Sequence, residues 1–203
     1  KDGSVIHVLL NSTPIDPDDL SLGLTFTALD ITEWKHAEEA LEKRLVALTQ
    51  PLNADHLISF DELFNLEDIQ MLQDLFANAT GVASIITKPD GTPITRPSNF
   101  SHLCNDLIRG TDVGRNNCYH SDAVIGRHNP DGPIVQTCLS GGLWDAGASV
   151  SVGGHHIANW LIGQVRDESQ DEEVALQYAS QIGADLEAYR AAFHEVTMMP
   201  RTK

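Results

Sequence analysis

Basic residues are scarce: 13 Lys and Arg stand against 29 Asp and Glu, a formal net charge of −16. A field of that sign repels phosphate backbones and anionic headgroups, so charge-driven contact with nucleic acid or membrane is excluded and a small ligand or a protein partner is favoured. Long apolar runs are also missing. No stretch approaches the roughly 18 to 20 residues needed to span a bilayer, and no basic segment leads into a signal-peptide core. Cysteine is sparse, with Cys104, Cys118 and Cys138 separated by 13 and 19 residues. An odd number without a close pair argues against a disulfide framework and for a reducing compartment, so a cytoplasmic location is expected. Catalytic signatures are absent as well: there is no nucleophile elbow, His-Glu-x-x-His, kinase or cyclase motif, P-loop or dinucleotide fingerprint. An enzyme would have to rest on Cys118 or Cys138 activated by a histidine, with a lowered thiol pKa. The segment is expected to be non-catalytic.

What is present suffices for a globular fold, since 203 residues with 41% hydrophobic content can bury a core. The chain starts at a turn signal, Asp2-Gly3, and continues into Val5, Ile6, Val8, Leu9 and Leu10, a strand composition without a preceding partner. Lys1 therefore reads as a cut inside a domain. "GLTFTALDIT" supplies a second strand. Two antiparallel strands alone are marginal in water, so these need further sheet or another surface to cover them.

A charged helix follows without a loop. Asp30 and Glu33 have capping-box spacing, and Trp34, Ala37, Leu41, Leu45 and Leu48 form a narrow apolar seam at separations of three, four, four and three. Glu39 and Lys43 are spaced for a favourable i,i+4 pair. The seam fits either an amphipathic helix lying on its own domain or a short parallel coiled coil; the narrow stripe, bracketed by two domains, favours a homodimer through this linker helix. "KDGS", the two strands and "DITEWKHAEEALEKRL" resemble the C-terminal part of a PAS domain and its signalling helix. That resemblance implies a strand coupled mechanically to a dimeric helix, with residues 1–32 as the PAS fragment and 33–52 as the linker helix. The fragment lacks its own pocket and is expected to bind nothing.

A new pattern begins after Pro51. Ser59 with Glu62 caps "FDELFNLEDIQMLQDLFANATG", whose Leu63, Leu66, Ile69, Leu72, Leu75 and Phe76 read as a pair of helical turns or one kinked helix. Two β-branched runs flank Lys88-Pro89-Asp90-Gly91 as a hairpin. "SNFSHLCNDLIRG" reads as a short helix, "DVGRNN" and "SGG" as loops, "IVQTC" as a strand, and "SVSVGGHHIANWLIGQV" as a hairpin turning at Gly153-Gly154. The tail reads as two helices broken at Gly183. The expectation is an α+β fold, an antiparallel sheet with helices on one side.

The blocks "FDELFNLEDIQMLQDLFANATGVASIITKPDGTPITRPSNFSHLC", "NNCYHSD" and "TCLSGGLWDAGASVSVGGHHIANWLIGQV" resemble the PocR-type sensory domain, a variant of the PAS fold. The likeness spans residues 57–167, within a domain placed at 53–199. It implies a PAS-like antiparallel sheet flanked by helices. It also implies a sensory input of the kind found on histidine kinases, cyclic-dinucleotide enzymes and transcription regulators, which recognise small organic molecules. The family more often has Cys-His-x-Gly-Leu where this chain has Cys138-Leu139-Ser140-Gly141-Gly142, so no role of that His transfers here.

Candidate site residues follow from the same blocks. Cys104, Cys118 and Cys138 are either buried thiols packing as small hydrophobes, ligand-lining or redox-sensing thiols, or, with His120 at Cys-x-His spacing, ligands to a metal ion or an iron-sulfur cluster. Their spacing alone is poor for metal. His155 and His156 adjoin on a strand and present to opposite faces. Trp160 and Gln164, four apart on one strand, are expected on one face as an aromatic floor with an orienting amide. Phe100, Trp144 and Asp145 flank the cysteine blocks as further candidates.

Overall fold

The computed structural model describes residues 5–49 and 59–200. Asp2-Gly3 and Pro51 lie outside them, and the side chain of Leu48 is likewise not described. The chain divides into two compact units, 1–51 and 52–203.

In the first unit, β1 (Val8–Pro14) and β2 (Leu24–Asp30) pair antiparallel, with Val8 opposite Asp30. Helix α1 (Thr32–Thr49) follows β2 directly. Asp30 accepts from the Thr32 amide at 2.9 Å rather than from Glu33. The junction is also clamped to the neighbouring strand: Ile31 N–H donates to His7 O, and His7 N–H donates to Thr32 Oγ1, each at 2.9 Å. Movement of β1 against β2 therefore reaches the first turn of the helix. The ion pair that α1 forms is Lys35 with Glu38, 2.6 Å apart, instead of Glu39 with Lys43. The seam residues Trp34 and Leu41 are 60% and 58% exposed.

The second unit is α+β. Helices α2 (Phe60–Leu63) and α3 (Leu66–Thr80) lead into β3 (Ala83–Thr87); a π-helix (Leu103–Ile108) and α4 (Asp112–Gly126) precede β4 (Ile134–Thr137), β5 (Trp144–Val152) and β6 (His155–Val165); α5 (Glu172–Ile182) and α6 (Leu186–Glu195) close it. The sheet order is β3-β6-β5-β4, antiparallel throughout. It is a PAS-like antiparallel sheet flanked by helices, but the helices cover both faces, and all of β3 is buried. Phe60, Ile86, Ala158 and Trp160 pack on the side of α2 and α3; Ile85, Ile125 and Leu161 pack on the side of α4. The largest cluster, around Leu103, Ile108, Leu143, Tyr189 and Phe193, joins the π-helix to α6.

Three expectations are corrected. The run after Gly91 forms no named strand: it meets β3 through isolated bridges at Thr87–Pro93 and Ser84–Ser98 and through the Ile94 and Thr95 amides, which both donate to Ile86 O, because Pro93 and Pro97 lack the amides a continuous ladder needs. Helix α3 turns Gln73 and Ala77 inward, while Leu66, Leu72 and Leu75 stay exposed. The reason is polar: Gln73 Nε2 has Ser84 O at 3.1 Å, Arg96 O at 2.8 Å and Ser98 Oγ at 2.6 Å as acceptors within reach of its two hydrogens, and its Oε1 accepts from Thr95 Oγ1 at 2.5 Å. "DVGRNN" is the start of α4, not a loop, because the Thr111 side chain caps the Gly114 amide. Among the described residues no helix is long and apolar enough to cross a membrane.

Candidate functional site

Between the sheet, the π-helix and α4 lies a cavity of about 40 Å³. Its walls come from local rules. The π-helix, closed by Arg109 N–H donating to Cys104 O five residues back at 3.1 Å, brings Cys104, Ile108 and Arg109 to the cavity. Such wide turns recur at functional sites because they re-aim side chains that an α-helix would place elsewhere. Helix α4 contributes Cys118, Ser121 and Asp122, which the three-and-four spacing sets on one face. That helix lies close to the sheet, since a Cβ on Gly126 would fall 2.3 Å from the Asn159 side chain.

The strands supply the remaining wall. A bulge at the end of β5 and β6 pairs Trp144 with Val165 and Asp145 with Gly163, leaving Gln164 as the extra residue at φ +58°. A non-glycine residue in the left-handed region costs on the order of 1 kcal/mol and persists only when held. Gln164 is held twice. Its amide donates to Asp145 Oδ1 at 2.8 Å, and its Oε1 accepts from Ser101 N at 2.9 Å and Ser101 Oγ at 3.1 Å, tying strand to π-helix.

Charge in the cavity is unevenly matched. Arg109 donates to Asp122 Oδ2 at 2.8 Å and stacks 4.8 Å from the Phe100 ring centroid. Desolvation pushes Asp122 up to about 7 and Asp145 up to about 6, in both cases against the pull of Arg109. Burial likewise raises the thiols of Cys104, Cys118 and Cys138, which favours their protonated form. Cys118 Sγ donates to Ser140 Oγ at 3.4 Å, and Ser140 Oγ shares a 2.6 Å hydrogen bond with Tyr178.

Of the residues singled out in the sequence, Phe100, Cys104, Cys118, Cys138, Asp145 and Gln164 meet at this cavity. Trp160 does not: it packs edge-on to Phe76 at 6.5 Å and donates to Ser84 Oγ at 2.9 Å. Counting by twos from Trp160 to Gln164 fails because Gln164 is itself the bulged residue, and its left-handed backbone turns its side chain out of the strand's alternation. Trp144 is also off the cavity wall, since strand neighbours face opposite sides and Asp145 takes the inward one. His120 is exposed on α4, two positions from Cys118 and so turned away from it. Among the described residues no group of three or more His, Cys, Asp or Glu is arranged to hold a metal ion. Arg109, Asp122 and Ser121 were missed. Reading "TDVGRNNCYHSD" as a capped helix would have put Asp122 and Ser121 beside Cys118; Arg109 carries no sequence signal.

A family model described as "Sensory domain found in PocR" matches residues 62–203. The chain belongs to that family. Every wall of the cavity falls inside the matched span of the PocR sensory domain. The chain is similar to "Regulatory protein PocR" of Salmonella typhimurium, 32% identical over 104 residues, which is 50% of this chain. It spans 34% of that relative's length. No solved structure matches.

Proposed function

We propose that this PocR sensory domain is the non-catalytic input module of a cytoplasmic signalling protein such as a histidine kinase, and that the cavity binds a small organic molecule. The observation that carries the reading is the convergence of polar side chains from the π-helix, α4, β5 and β6 on one small cavity within the core. Buried polar groups cost free energy unless satisfied, so gathering Arg109, Asp122, Asp145 and Gln164 there is a cost that a ligand offsets. Residues 1–32 are the end of a PAS domain, and α1 pairs with its copy in a homodimer; the module contacts neither nucleic acid nor membrane.

A relay is supported by the backbone beyond the cavity. Two residues after Gln164, Arg166 N–H donates to Thr197 O at 3.0 Å and Met199 N–H donates to Arg166 O at 2.8 Å. A ligand that shifts the bulge thus reaches the segment leaving α6. The test is mass spectrometry of compounds released on denaturing purified protein. A stoichiometric organic compound is expected from the wild type and not from Ser121→Leu, which fills the cavity. A wild type that releases none, and whose melting no metabolite fraction shifts, sinks the reading.

A further inference from the structure

The cavity's own chemistry points to the class of ligand, an inference that rests on the sensing role proposed above. Two carboxyls and one guanidinium line it. One arm of the guanidinium is committed to Asp122 at 2.8 Å and its face lies 4.8 and 5.8 Å from the Phe100 and Tyr119 ring centroids, while its buried Nε has no hydrogen-bond partner among the described residues and is free for an acceptor. Asp145 is left with the Gln164 amide at 2.8 Å and the Cys138 thiol, a weak donor. Although deep in the fold, Asp145 keeps part of its surface accessible, and it lines the cavity. The apolar part of the lining is Ile85 and Leu161, on the same sheet face as Asp145, with Ile108 from the π-helix.

We propose that the cavity takes a short alkylammonium, its cationic head on Asp145 and its hydrocarbon tail against Ile85, Ile108 and Leu161. An ammonium supplies both what Asp145 lacks, strong donors, and the charge that balances two carboxylates against one guanidinium. An anionic ligand would add negative charge beside Asp122 and Asp145 in a desolvated site and is disfavoured wherever both are ionised. The chain's charge of −16 raises the local concentration of cations outside. Size is set by the 40 Å³ of space: at about 10–15 Å³ per water, it admits a ligand of about four non-hydrogen atoms.

The experiment measures melting of the full chain with n-propylammonium, 1-propanol or propionate, at ionic strength matched with sodium chloride. Propylammonium is expected to give a saturable rise of about 2–4 °C once several-fold above its Kd, and propionate none. Asp145→Asn is expected to bind the amine at least ten times more weakly. Should that variant not fold, the wild type decides through pH. The charged and titratable groups facing Asp145 are Arg109 and Asp122 with the thiols of Cys104, Cys118 and Cys138. Only the two carboxyls take up protons as pH falls from 8 to 5, so amine affinity should fall through that range. A shift independent of pH, a shift retained in Asp145→Asn, or an alcohol that stabilises as well as the amine overturns the proposal. A neutral or anionic compound released by denaturation would overturn the ammonium while leaving the sensing role intact; no probe binding and no released compound would remove both.

Discussion

Phe26 and Phe60 are the same residue in two circumstances: the first, on β2, is 69% exposed, and the second, at the start of α2, is 4% exposed. The contrast extends to whole units. Leu9, Leu10, Leu29 and Leu41 in the first unit are all more than half exposed, whereas Leu103, Leu143 and Ile108 in the second are essentially inaccessible. Apolar composition is similar; what differs is closure. A hairpin and one helix cannot bury both faces of a two-stranded ribbon, while four strands with helices on both sides can. The first unit leaves its apolar side chains exposed, and the second carries its own core and, within it, a polar cavity.

Breaking the second unit should be easy and the first hard. The largest effect is expected from Tyr189→Ala, which empties a fully buried site and should cost about 3–5 kcal/mol in urea unfolding. Tyr189→Phe should be close to neutral, because that hydroxyl has no hydrogen-bond partner. Gln73→Leu comes next: it removes the buried donor to Ser84 O and Arg96 O and the acceptor of the Thr95 hydroxyl, each of which keeps one other partner, and should cost about 1–3 kcal/mol by the same assay.

A pH titration sharpens the contrast. Asp145 and Asp122 have folded pKa values near 6 and 7, above the ordinary 3.8, so the folded state holds protons more tightly than the unfolded one. Their contribution to stability is present below about pH 4 and is lost as pH rises through 6 and 7. Lowering the pH from 8 to 5 should therefore strengthen the second unit by on the order of 4 kcal/mol, and Asp145→Asn should flatten part of that slope in denaturant melts. The smallest effect on stability is expected from Leu41→Asp with Leu45→Asp, both at exposed positions. The melting of the second unit should stay unchanged while light scattering shows the mass halved, if α1 pairs with a copy; an unchanged mass removes the coiled coil.

Much of the site was readable because cysteines, Phe100, Asp145 and Gln164 sit in short distinctive blocks. The errors share a cause. Trp160 was assigned to the cavity by alternation, and alternation is reset by a bulge whose presence depends on β5 pairing with β6. Leu66, Leu72 and Leu75 satisfied a helical period yet stayed outside, because Gln73 is held inward by hydrogen bonds to Ser84 O, Arg96 O and the Thr95 hydroxyl.

By itself the sequence determined the α+β class, the capped helices, the turn at Gly153-Gly154 and the break at Gly183, since these depend on neighbours within a few residues. The tertiary structure alone decided which face of α3 is buried, that the π-helix aims Arg109 at Asp122, and that the three cysteines share a cavity. Those outcomes depend on contacts between residues far apart in the chain, where desolvation and hydrogen-bond satisfaction outweigh local periodicity.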